Sequence, residues 1–216
     1  MDCILPLQNR VLPTGEIVAT PARGTFTGNR GIIHRDDKTL GTSRWSHHAW
    51  ICCTLDWQGR KRPVMTGRNW TELFFLDEAV AMAAGHRPCG YCRRADYVRF
   101  VDAWTEATGQ RLKAPQMDKA LHRARVHSKS RQQVTHRADI ASLPNGAFIT
   151  YGGRPHLIGQ DRLLPYRPVG YDAALPRPTS GPVTVLTPAP MIAVLQSGYT
   201  PIVHPTVTID LSAPKP

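Results

Sequence analysis

The chain has 216 residues, 41% of them hydrophobic, enough for a substantial buried core in one or two domains. Lys and Arg number 27 against 16 Asp and Glu, a formal charge of +11 that favours polyanionic partners, nucleic acid first among them. No stretch approaches the roughly 18 apolar residues of a membrane helix, and MDCILPLQNR lacks the basic start and apolar core of a signal peptide, so a cytoplasmic protein without membrane contact is expected.

Residues 1–24 are rich in Pro and Gly and read as an extended arm carrying one strand, EIVAT. Residues 24–65 read as a small meander of β-prone pieces at 31–34, 49–57 and 62–65, separated by charged or Gly-containing turns. A helix then opens after Asp77, a fitting N-cap, with Glu78 in the first turn and Gly85 as the stop. A second helix is expected over 95–108, from the recurrence of Val98, Val101 and Trp104, and a third over 117–127. Beyond Ser128 the pattern turns to strands, with a hairpin around Gly152-Gly153. Residues 165–182 hold five prolines and read as linker or coil. The tail reads as strand, helix, strand, with Thr187 as helix cap and Pro188 in the first turn. The helix endings AGHRP and SGYTP echo each other, which a shared helix-stop geometry explains better than duplication.

The five cysteines stand at 3, 52, 53, 89 and 92, an odd number that argues against a disulfide framework and for metal binding. Cys89 and Cys92 form a C-x-x-C turn, which points two sulfurs one way and supplies backbone N–H groups to them. A closed site needs two further ligands. On a strand, adjacent Cys52 and Cys53 face opposite ways, so only one can join. Cys53 is taken as the ligand and Cys52 as a core residue. His34 is taken as the fourth ligand, with His47 and His48 read as decorating a turn. Zn2+ is the expected ion; a redox dithiol is the competitor.

The run TELFFLDEAVAMAAGHRPCGYCRR, residues 71–94, resembles the zinc-binding N-terminal domain of the Ada DNA-repair methyltransferases, through its Ala-rich helix and G-x-R-P-C-x-x-C turn. The resemblance implies a metal-binding role for Cys89 and Cys92 and a link to DNA damage or modification. In that family a second, spaced cysteine pair precedes this segment and one of its members accepts a methyl group; here the upstream cysteines are adjacent. The fold expected is α+β: a small β-meander plus helices around a zinc knuckle in residues 1–127, with a strand-rich C-terminal region over 128–216.

Between residues 86 and 137 twelve Lys and Arg stand against four acidic residues, and KALHRARVHSKSR has none. Arg93, Arg94, Lys119, Arg123, Arg125, Lys129 and Arg131 are therefore candidates for contacting nucleic acid, DNA in the first place, together with Arg30 in the Gly-flanked turn T-G-N-R-G. The function expected is a zinc-stabilised nucleic-acid-binding protein. The alternatives are an enzyme on nucleic acid, either an alkyl acceptor through Cys53 or a hydrolase through His34 with Asp36 or Asp37, and a zinc-stabilised protein-interaction module. No Walker loop, H-E-x-x-H or G-x-S-x-G fixes a catalytic site.

Overall fold

The computed structural model describes residues 6–59, 64–65 and 69–212. The N-terminal half builds a sheet from β1 (Gln8–Val11), β2 (Ile17–Ala19), β3 (Phe26–Asn29), β4 (Ile51–Thr54), β5 (Leu73–Phe75) and β6 (Arg87–Pro88), with α1 (Glu78–Ala83) between the last two. Its spatial order is β2-β1-β5-β3-β4-β6. Helices α2 (Arg94–Thr108) and α3 (Ala114–Arg125) follow. The second sheet comprises β7 (His136–Asp139), β8 (Phe148–Tyr151), β9 (Arg154–Ile158), β10 (Arg162–Arg167), β11 (Gly170–Tyr171), β12 (Leu175–Pro176) and β13 (Pro182–Val185), and α4 (Ala189–Gln196) comes last. Mixed sheets and helices make the chain α+β.

Every residue of α1 is buried, because the helix lies between the two halves. Its Val80 and Ala83 share one apolar cluster with Phe75 of the first sheet and Phe148 and Leu157 of the second. Met82 belongs to the other cluster, with Phe100 and Trp104 of α2, Met117 and Leu121 of α3 and Val194 of α4. The core thus runs across residue 127. Asp77 caps α1 by accepting from Val80 N at 2.9 Å, and accepts from the Tyr171 hydroxyl at 2.7 Å as well.

Four expectations need correction. Residues 31–34 are not a strand of the sheet: the partner of β4 is β3, where Thr27 faces Cys53, and Gly28 allows an approach that would set any Cβ 2.1 Å from Ile51 O. Residues 165–182 are not a linker, because Pro165 lies within β10, Pro176 within β12 and Pro182 opens β13. Residues 163–166 of β10 are all buried, so the alternation that advertises a strand is missing. Thr187 does not cap α4; Pro188 holds that position while Thr187 Oγ1 accepts from Phe148 N at 2.8 Å. Among the described residues the tail after α4 forms no second strand, because Ile202 is engaged by the start of α1: its carbonyl accepts from Glu78 N and its N–H donates to Glu78 Oε2. Of the piece expected at 62–65, residues 62 and 63 lie outside the described residues, and Val64 and Met65 form a turn.

Candidate metal centre

Strand register brings the thiols together. β4 and β6 run parallel with Cys52 opposite Pro88, which sets Cys53 beside Cys89. Cys89 N donates to Cys52 O at 2.9 Å and locks the turn onto the strand end. Cys92 then stands just before the first residues of α2, and Arg93 N donates to Cys89 O at 3.2 Å. The Sγ atoms of Cys53, Cys89 and Cys92 all lie within 4.8 Å of one another, a group able to hold a metal ion.

The electrostatics suit that role. Cys89 is pulled far below the usual thiol range by hydrogen bonds from the thiols of Cys53 and Cys92, helped by the N–H groups of Cys92 and Tyr91, the latter at 3.4 Å from Sγ. Cys53 is pushed up, because its proton is held by Cys89 and Cys92 and its site is buried. One thiolate is therefore favoured without a cation, and a divalent ion would displace the remaining protons.

Cys52 points the other way, into the core with Phe26, Leu73 and Phe75, where burial raises its thiol above its ordinary value. Its Sγ takes a hydrogen bond from Arg93 Nη1 at 3.5 Å. His34 is not gathered with the thiols: Nε2 donates to Gln8 O at 2.8 Å and Nδ1 faces the Thr71 hydroxyl at 3.3 Å. His34 and the exposed Asp36 instead line a separate cleft of about 440 Å³. Among the described residues no fourth His, Cys, Asp or Glu joins the three thiols.

Cys92 borders a cleft of about 460 Å³ formed with Phe26, Asp56, Trp57 and Arg94. The Trp57 and Tyr91 rings meet edge to face at 5.5 Å. Sequence reasoning passed over Trp57 and Tyr91; the available signal was an aromatic residue inside the C-G-Y-C turn and another four residues after Cys53.

The basic residues divide into two sets. Arg30, Arg93 and Arg125 are buried, at 2%, 5% and 1% exposure, which withdraws them from any outer surface. Arg93 pairs with Glu78 and Asp96 at 2.9 and 2.7 Å. Arg125 donates to Gly85 O and His48 O and lies 3.9 Å over the Trp50 ring. Arg87 makes a two-pronged bond to Asp118, 2.8 Å at each prong. Arg94, Lys119, Arg123, Lys129 and Arg131 are exposed. Among the described residues no helix is long and apolar enough to cross a membrane. No protein-family model, curated protein or solved structure matches the chain.

Proposed function

We propose that the chain is a zinc-binding protein that contacts nucleic acid. The convergence of Cys53, Cys89 and Cys92 from a strand end and a tight turn carries the reading. Soft thiolates in a compact cluster suit Zn2+, and a third thiol is superfluous to a redox dithiol. The Ada-like run at 71–94 supports the same ion. The nucleic-acid part rests on Lys119, Arg123, Lys129 and Arg131, exposed along α3 and the loop after it, with Arg94 next to the thiols. Such a surface neutralises backbone phosphates and makes binding steeply salt-dependent.

A second reading is favoured by the cleft at Cys92. An alkyl group on a phosphate oxygen, presented there, would be attacked by the Cys92 thiolate, which an ion held by Cys53, Cys89 and Cys92 would keep deprotonated. A C–S bond forms, the C–O bond breaks, and the phosphodiester leaves as the anion. Cys92, which lines the cleft, is better placed for this than the more buried Cys53.

Elemental mass spectrometry of natively purified protein tests the first reading: about one zinc per chain is expected, and a metal-free wild type would overturn it. Intact mass after exposure to methylated DNA tests the second, a stable gain of one methyl group in wild type but not in Cys92→Ser supporting it.

A further inference from the structure

A cleft of about 650 Å³ is lined by Arg30 just after β3, Trp50 just before β4, the end of α3 at Arg125 and the loop after α3. Four arginines line it: Arg30, Arg44, Arg125 and Arg131. Among the described residues none of the four has an ion pair. The single carboxylate in the lining is Glu16.

Arg30 and Arg125 are the informative pair. Both guanidinium groups lie against Trp50, at 4.0 and 3.9 Å from the ring centroid. Arg30 Nη2 and Arg125 Nε are buried without a hydrogen-bond partner. Among the described residues the one hydrogen bond of the Arg30 side chain runs from Nε to His86 Nε2 at 3.3 Å. Burial, with Arg44 nearby, lowers the Arg30 pKa to about 9. Two buried cations against one ring, each with an unpaired N–H group, are costly in a folded chain unless an anion joins them.

We propose that this cleft binds a phosphate ester, with the phosphate held by Arg30 and Arg125 and flanked by Arg44 and Arg131. Four cations against one carboxylate fit a dianion with several acceptor oxygens better than a monocarboxylate, and the arginine fork matches phosphate geometry. The lining also offers acceptors. Gln133 gives its Nε2 to the carbonyls of Pro13, Ala83 and Leu186, which leaves its Oε1 buried without a donor. A ligand with a hydroxyl beside its phosphate, as in a nucleotide, satisfies both needs, and the volume suits one nucleotide unit. The cleft is separate from the metal centre and from the exposed residues Lys119, Arg123 and Lys129, none of which lines it, while Arg131 belongs both to its lining and to the exposed basic surface.

Calorimetric titration of the full chain with AMP, adenosine, and short oligonucleotides with 5′-phosphate or 5′-hydroxyl ends tests it. AMP is expected to bind at least about tenfold tighter than adenosine, with Arg44→Ala and Arg131→Ala each weakening it about tenfold, as for loss of one charge-assisted bond. Arg30→Lys should do the same while keeping the charge. If the 5′-phosphorylated oligonucleotide binds and AMP displaces it, the natural source is a strand end; if only AMP binds, it is a free nucleotide. Equal affinity for AMP and adenosine, no binding of AMP up to about 5 mM, or an AMP affinity unchanged in both Arg44→Ala and Arg131→Ala would overturn the proposal. A triple alanine variant at Lys119, Arg123 and Lys129 should leave AMP binding unchanged, so loss of the outer nucleic-acid surface and loss of this pocket are read separately.

Discussion

Arg93 Nη2 lies 2.9 Å from the Glu78 carboxylate, and this buried pair ties the residue after Cys92 to the first turn of α1. The carboxylate also accepts from the Tyr199 hydroxyl at 2.6 Å and from Ile202 N at 2.9 Å. A charge so enclosed is expensive to strand. Glu78→Gln is expected to cost about 3–5 kcal/mol, and Arg93→Met at least as much because Asp96 loses the same partner. The double variant should cost less than the two singles added, since no lone charge remains. Urea unfolding of the three proteins checks this; strict additivity would mean that the pair is not coupled.

The adjacent cysteines should behave differently. Cys53→Ala is expected to abolish stoichiometric metal, since only two of the clustered thiols remain. Cys52→Ala should retain the metal and lose about 1 kcal/mol, because it leaves a small void among Phe26, Leu73 and Phe75. Elemental analysis and thermal melts on the same preparations separate the two. Loss of metal in Cys52→Ala without loss of stability would contradict the opposite facing of the two side chains.

How much of this could be read from the chain depends on the range of the interactions. The helix stops were local and legible. Gly85 N reaches Met82 O and His86 N reaches Ala81 O, while Gly198 N reaches Leu195 O and Tyr199 N reaches Val194 O, so AGHRP and SGYTP share one hydrogen-bond pattern with Gly at φ +81° and +88°. The C-x-x-C turn and the Asp77-capped helix α1 before it were legible for the same reason. What pairs with β4 was not, because Gly28 is needed for an approach to Ile51 that no local pattern displays. Nor was the fate of the arginines: Arg125 is buried by carbonyls at Gly85 and His48, far from it in sequence, so a charge-rich segment that reads as one solvated stripe splits into an inner and an outer set.

That split gives a prediction for nucleic-acid binding. Alanine at Lys119, Arg123 or Lys129 should weaken binding modestly and to similar extents across base sequences, and should lower the slope of log affinity against log salt by about 1 for each phosphate no longer neutralised. Arg125→Ala should instead destabilise the fold, since it leaves Gly85 O without its donor, removes one of the two donors to His48 O and uncovers Trp50. Fluorescence anisotropy at several salt concentrations, with melting curves alongside, decides between the roles. An unchanged salt slope in all three outer variants would remove α3 from the interface.

Acid stability should report the histidines around Trp50. The His122 pKa is lowered to about 4 by burial and by the charges of Arg125 and His48, whose ring stacks on it at 4.0 Å. His86 is held well below its ordinary value by burial and by Arg30 and Arg125. Both are neutral in the folded chain where the unfolded chain, with an ordinary value near 6.5, takes up protons. The unfolded state therefore binds more protons below about 6.5, and stability falls as the pH drops from there toward about 4, with His86 still contributing lower down. In His122→Gln, which cannot titrate, the slope of stability against pH between about 6.5 and 4 should be shallower than in wild type while the neutral-pH stability changes little. Chemical denaturation across that window measures it. An identical slope in the variant would mean that His122 titrates alike in both states, and that Arg125 does not repel its proton in the folded chain.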